Sequence, residues 1–377
     1  MVREQPRRSF VRPAPNSVIT MDGKLHLYHP KRRLNLLEYT SSKPASEPHD
    51  VARNNILLFV GGMFDNFRGT GYVDELAETL RSSPWRVCHV QLSSASRSFG
   101  TFDLYRDVDE IETCIRFIRS NSGLGNANTR VVLLGHSTGC QDTLTYIYSR
   151  AKSARPLIQG AILQAAASDR EGAMHSISTE SETRSLYDQC MTLISTTPAV
   201  HHQTTVLPMH WTTPIFGPAP MSISRFLSLV SPGSPSDPSS DDLFSSDIPD
   251  SVLATTFGKV GSVTSPLQPL SSSQKRSLMV LLSGADEYMP AFIDKAELLS
   301  RWKKAIELGN GQLHAQSQVI EHGVHDLSGS TKEQEHARVV IFRTAVLTYL
   351  SDILGEDADN SRSNEDKIER GVAGIKL

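Results

Sequence analysis

Apolar runs bounded by turn residues recur along the chain: 54–63 (NNILLFVGGM), 85–92 (WRVCHVQL), 129–137 (TRVVLLGHS), 158–166 (IQGAILQAA), 277–286 (SLMVLLSGAD) and 315–322 (AQSQVIEH). Several are apolar at consecutive positions, so both faces of the extended chain must be covered, as in a parallel sheet with helices on either side. Between the runs the apolar spacing lengthens to three or four. Val73, Leu76, Ala77 and Leu80 fall on one stripe of 72–83, and Leu104, Val108, Ile111, Ile115 and Ile118 on one stripe of 103–120, which predicts two amphipathic helices. Strand alternating with helix predicts right-handed βαβ crossovers and a mostly parallel, doubly wound α/β sheet.

The ends and one long interval depart from this rhythm. Residues 17–30 and 34–42 predict an antiparallel pair of edge strands, with Asp22-Gly23 as the hairpin turn. Residues 333–354 predict a closing helix packed back on the sheet. From Asp169 to Gln274 no clear buried strand appears, only helix-like pieces at 181–195 and 222–230 and the Ser/Pro-rich 231–250. A structureless connection of that length is improbable inside a compact domain, so 169–274 is expected to form an inserted cap or lid with a mobile Ser/Pro-rich portion, between the sixth and seventh strands. The expected organisation is an arm with edge strands over 1–50, the α/β domain with its insertion over 51–354, and a polar, disordered tail over 355–377.

Composition narrows the partners. The 377 residues are 38% hydrophobic and 21% charged with a net charge of −3, which gives the body of the protein no reason to bind nucleic acid. The early arginines (Arg3, Arg7, Arg8, Arg12) are interrupted by Pro6, Pro13 and Pro15, so a transit helix is not expected, and no h-region follows Met1. No apolar run approaches the roughly 20 residues of a membrane span. Cys88, Cys114, Cys140 and Cys190 are widely spaced without a Cys/His cluster, a pattern of reduced thiols in a cytoplasmic protein rather than of disulfides or structural zinc. The final GIKL shares only Lys376-Leu377 with the peroxisomal SKL address, leaving the peroxisome as a second, weaker reading of location.

Candidate chemistry centres on GHSTG, Gly135 to Gly139. This is a G-x-S-x-G, in which a serine stands at a strained strand-to-helix turn and the glycines let helix and strand approach closely. Four aliphatic residues precede it and a helix can follow, so Ser137 is the expected nucleophile. The Thr138 N–H, at the positive end of that helix, is a natural oxyanion donor. A second donor is expected from FVGGMFDNF, as the N–H of Met63 or that of Gly62. In this order of parts the acid and the histidine follow the serine. Asp286 closes an apolar strand and is the expected acid, with Glu287 beside it as the substitute. His325 lies past Gly323 in a loop that can fold over the sheet edge and is the expected base, whereas His322 is read as still belonging to the strand.

The phrases GHSTGCQD, QAAASDREG, FSSDIPD and DEYMP resemble a fungal and plant family of α/β-hydrolase proteins catalogued as DUF1749, over roughly Val51 to Leu350. The resemblance implies the α/β-hydrolase fold and, within the family's intracellular siderophore esterases, cleavage of the ester bonds of fusarinine-type hydroxamate siderophores. By matching position it implies Ser137 as nucleophile, Asp286 as acid and His325 as base. No metal or organic cofactor is implied, and iron would arrive held by the hydroxamates of a ferric siderophore. Asp237, Asp241, Asp242, Asp247 and Asp250, with Asp169 and Glu171, are expected as an acidic rim that attracts a cationic small-molecule ester such as the free ornithine amines of a fusarinine. The plainer alternative is a solvated loop with Ser/Asp helix caps. Rival activities on the same scaffold are a lipase, thioesterase or acyltransferase, or a ligand carrier without catalysis.

Overall fold

The computed structural model describes residues 23–40, 53–67, 69–149, 154–269 and 275–355. The early arginines, Asp22, the polar tail after Gly355 and the final Lys376-Leu377 lie outside them. Two strands open the described chain, β1 (Gly23–His29) and β2 (Leu34–Tyr39), followed by β3 (Asn55–Val60), α1 (Tyr72–Thr79), β4 (Trp85–Val90), α2 (Leu104–Ser120), β5 (Val131–His136), α3 (Thr138–Tyr148) and β6 (Gly160–Gln164). The interval that follows carries α4 (Asp169–Thr179), α5 (Ser181–Thr196), β7 (Val206–Leu207), α6 (Met209–Phe216), β8 (Met221–Ser222), α7 (Ile223–Val230) and α8 (Asp250–Thr255). The chain then completes the sheet with β9 (Ser277–Ser283), α9 (Lys295–Leu308), β10 (Gln312–Leu313), β11 (Gln318–Ile320) and α10 (Lys332–Leu354).

The main sheet runs β1-β2-β4-β3-β5-β6-β9-β10, with β11 also on β9. Its β1–β2 and β2–β4 pairs are antiparallel and the others parallel. The unbroken aliphatic runs are explained by the pleat. Ile56, Leu58, Val60, Val131 and Leu133 pack on the face covered by α2, α3 and α9, whereas Leu57, Phe59, Val132 and Leu134 pack on the face covered by α1 and α10. Asp103, expected at the start of the second helix, caps α2 by accepting the Arg106 N–H at 2.9 Å.

Three expectations change. Gly23 pairs with Tyr39 at the far end of the β1–β2 ladder, so the hairpin reverses at 30–33, where the Arg33 N–H donates to the Pro30 carbonyl at 3.3 Å. Proline presets the backbone for that turn. The strand read over 315–322 is only Gln318–Ile320. The interval 169–274 also divides. Its first part has a small core of its own around Ile177, Ile215, Met221, Phe226 and Leu229 and includes the β7–β8 pair. From Leu243 onward the chain rejoins the main core: Phe257 stacks on Trp302 with ring centroids 4.8 Å apart, and Phe244 lies 5.4 Å from the same ring.

Two aspartates of the Ser/Pro-rich stretch anchor it as buried ion-pair partners, whereas Asp237, Asp247 and Asp250 stay exposed, Asp247 beside Arg170 and Asp250 beside Arg301. Asp241 and Asp242 are buried at 2% and 3% exposure. Asp241 pairs with Arg225 of α7 at 2.5 Å and accepts from Ser228. Asp242 pairs with Arg170 at 2.7 Å and accepts from Ser234 and Ser245. With their charge spent on partners, neither can recruit a ligand from solvent. Burial works against the Arg225 charge, but the fields of Asp241, Asp107, Asp169 and Asp142 outweigh it and raise its pKa. Removing one member of a buried ion pair strands the others in a poor solvent. Arg225→Ala is therefore expected to lower stability by about 3–5 kcal/mol, read as a lower midpoint in urea unfolding.

Candidate active site

Ser137 stands between β5 and α3 with φ 54 and ψ −125, a backbone conformation that costs a non-glycine residue about 1–3 kcal/mol unless its surroundings enforce it. The neighbouring glycines supply that enforcement. A Cβ on Gly139 would lie 2.1 Å from the Val60 carbonyl oxygen, and one on Gly135 would lie 2.2 Å from the Gly139 carbonyl oxygen. Neither position accepts a side chain, so the helix start sits directly on β3 and β5. The Ser137 N–H donates to the Gln164 carbonyl at 3.1 Å, and the Cys140 N–H to the Ser137 carbonyl at 2.8 Å.

The loops after β9 and β11 run side by side. Gly284 N–H donates to the Ile320 carbonyl at 2.9 Å and Ala285 N–H to the Gly323 carbonyl at 2.7 Å, knitting the two loops together. They bring Asp286 and His325 into contact: Nδ1 of His325 is 2.9 Å from Oδ2 of Asp286, and both side chains are buried. Asp286 does not itself end a strand, since β9 stops at Ser283 and the carboxylate projects from the following turn. Its other oxygen accepts the Tyr288 N–H at 2.9 Å. Glu287 has a separate part, accepting the His325 backbone N–H at 2.9 Å. His322 lies beyond β11 with φ 55 and an exposed side chain beside Glu321.

Ser137 and His325 line one cavity of about 240 Å³, together with Met63 and Asp169. Gly62 lies against the serine, where a Cβ would be 2.6 Å from that of Ser137. Its N–H is not available to a ligand, because it donates to Oδ2 of Asp65 at 2.9 Å. Of the two donors considered in that loop, Met63 is therefore the one left. Thr138, the other expected donor, is the first residue of α3, where backbone N–H groups have no intrahelical acceptor.

An acidic lining exists here, carried, apart from Asp169, by residues other than those expected. Asp65, Asp169, Glu287 and Asp326 all reach the cavity, and no lysine or arginine does so among the described residues. Of the acidic residues expected at the rim, Asp237, Asp241, Asp242, Asp247, Asp250, Asp169 and Glu171, only Asp169 lines the cavity. Burial, then the field of Asp241, raises its pKa to about 6, against the lowering influence of Arg225 and of Gln141, which donates at 2.6 Å. Asp65, Asp326 and Gln164 were not singled out by sequence reasoning. A signal existed for Asp65, three residues past Gly62 in a turn sequence, and for Gln164, a polar residue ending an apolar strand.

A mostly parallel sheet with a serine at a strained turn between β5 and α3 defines the α/β-hydrolase class. The chain belongs to the family described as "Protein of unknown function (DUF1749)", which matches residues 12–351. It is 33% identical to an esterase of Emericella nidulans, over 94% of this chain and 98% of that protein. It is also 33% identical to the fusarinine C esterase sidJ of Aspergillus fumigatus, over 86% of this chain and 95% of that protein. The solved structure of the siderophore hydrolase EstB from Aspergillus fumigatus superposes with a TM-score of 0.73 at 32% identity, covering 90% of this chain and 99% of that one. Likeness to an α/β-hydrolase-fold protein of unknown function, TM-score 0.54 at 17% identity, concerns the fold alone. Together these relatives make the protein an ester-hydrolysing enzyme. No described helix is long and apolar enough to cross a membrane.

The electrostatics of His325 yield a measurable outcome. Burial pushes its pKa down, but Asp286, through its field and its hydrogen bond, followed by Glu287 and Asp326, pushes it up to about 9. A histidine raised in this way adds stability that is fully present below its unfolded value near 6.5 and is lost as pH rises through about 9. The His325 imidazole is expected to titrate well above 6.5 by NMR, and Glu287→Gln is expected to bring that midpoint down. An unchanged midpoint in the variant contradicts the assigned cause.

Proposed function

We propose that the protein is a serine esterase working through an acyl-enzyme, with Ser137 as nucleophile, His325 as base and Asp286 as its orienting acid. The observation that carries this is the 2.9 Å His325–Asp286 hydrogen bond beside a cavity that His325 and the strained Ser137 both line. With Nδ1–H donated to Asp286, Nε2 of neutral His325 is the nitrogen left to take the serine proton as Oγ attacks the ester carbonyl. Asp286 then steadies the imidazolium. The N–H groups of Met63 and Thr138 would receive the oxyanion. His325 returns the proton to the leaving alcohol, and water, activated by the same histidine, releases the acid.

We further propose a fusarinine-type hydroxamate siderophore as substrate and the cytoplasm as the place of action. The names of the Aspergillus fumigatus relatives support the substrate. So does the lining: four carboxylates and no lysine or arginine among the described residues favour an ester carrying ammonium groups over a neutral one. The four cysteines, buried as free thiols, support the location.

Ser137→Ala should fold and lose about 10⁴-fold or more in kcat; full turnover by this variant would remove Ser137 from the reaction. Because the proton must leave Ser137 for neutral imidazole, kcat/KM should rise with pH along a limb displaced upward from 6.5 by the raised His325 pKa. For the substrate, ferric and iron-free fusarinine C, each with free and with acetylated amines, should be compared with p-nitrophenyl esters by product mass. The free-amine forms are expected to be cleaved with the highest kcat/KM and to lose that advantage in high salt. Equal rates on acetylated and free forms contradict the cationic preference.

A further inference from the structure

We infer that Gln164 is a positioning residue that holds the serine turn and the histidine loop in register, an inference that rests on the assignment of Ser137 and His325 above. Gln164 ends β6 and is fully buried. Its backbone carbonyl accepts the Ser137 N–H at 3.1 Å and the Cys140 thiol at 3.1 Å. Its side-chain amide reaches the other half of the site, with Nε2 3.1 Å from the His325 carbonyl oxygen and 3.3 Å from Oγ of Ser283, at the end of β9. Oε1 accepts from the Tyr72 hydroxyl at 2.8 Å and lies 2.5 Å from Nδ1 of His136.

These contacts fix the amide's orientation and a tautomer. The His325 carbonyl can only accept, so the NH₂ must face it and the amide oxygen must face Tyr72 and His136. His136, next to the serine, is then held with its proton on Nδ1. Burial, partly opposed by the field of Asp65, keeps its pKa low and so keeps the ring neutral. One residue thus touches the backbone of both Ser137 and His325, which are 188 positions apart along the chain. A leucine of similar length would leave the His325 carbonyl and the His136 Nδ1–H without partners in a dry core.

The test counts active sites before it measures rates. Wild type, Gln164→Leu, Gln164→Glu and Ser137→Ala are titrated to completion with a fluorophosphonate, and p-nitrophenyl acetate turnover is expressed per titrated site, or per folded protein for Ser137→Ala. Gln164→Leu is expected to lose about 10²-fold in kcat per site with KM little changed, as misplacement of reacting groups does. A role in packing alone would instead lower the number of titrated sites and leave turnover per site as in wild type, and that result overturns the inference. Gln164→Glu preserves shape and keeps the measurement open if the leucine variant does not fold. Its protonated carboxyl can donate to the His325 carbonyl and its ionised form cannot, so its turnover relative to wild type should fall as pH rises. A ratio of one across the pH range also overturns the inference. Inactivity of Ser137→Ala beside an unimpaired Gln164→Leu defeats the Gln164 assignment alone; turnover surviving in Ser137→Ala defeats the triad on which it rests.

Discussion

The site depends on one close backbone approach. The start of α3 lies against the end of β3 so tightly that Gly139 has no room for a Cβ beside the Val60 carbonyl, and that contact holds Ser137 in a conformation it would not otherwise keep. The cost, about 1–3 kcal/mol for such a backbone, is offset by the burial of β3 and β5 on both faces. Their aliphatic side chains divide alternately between two helical layers. A sheet covered on one side only would not fix the turn from above and below. The strained serine is therefore a product of the whole three-layer packing as much as of the pentapeptide that contains it.

Around that turn the remaining groups are delivered by loops that are bonded to one another rather than free. Ala285 and Gly323 join the acid loop to the histidine loop, Glu287 holds the His325 backbone, and Gln164 spans from the serine turn to the His325 carbonyl. Carboxylates do two different things here. Asp286 and Glu287 hold and charge the histidine, Glu287 while also lining the cavity, and Asp65, Asp169 and Asp326 reach the cavity from its walls. The same residue type has a third use in the Ser/Pro-rich 231–250. Asp241 and Asp242 anchor it through Arg225 and Arg170, far from any contact with solvent.

That distinction separates what patterning can tell from what it cannot. Apolar runs and helical stripes were enough for the mostly parallel sheet, its two flanking layers and the closing helix, because burial on both faces leaves a periodic trace. GHSTG in its strand-to-helix context singled out Ser137 as a candidate, chain order and the end of an apolar run singled out Asp286, and a loop past Gly323 singled out His325, three residues that bear on one place in the fold. Less visible were the hairpin turn at 30–33 and the short β11, where a few residues carry little periodic signal. The return of Leu243 to Val260 to the main core was masked by the serines and prolines around it.

By itself, then, the sequence determined the class of fold and the residue types that chemistry at the sheet edge requires, since both follow from local spacing. Only the tertiary structure decided which carboxylates face the cavity, that Gly62 gives its N–H to Asp65, and that Glu287 braces the histidine instead of replacing Asp286. Charge on a side chain is a property of composition, but whether it is free to meet a ligand depends on what the fold places within 3 Å of it. Asp241 and Asp169, alike in the sequence, end on opposite sides of that question because one lies against Arg225 and the other at the cavity wall.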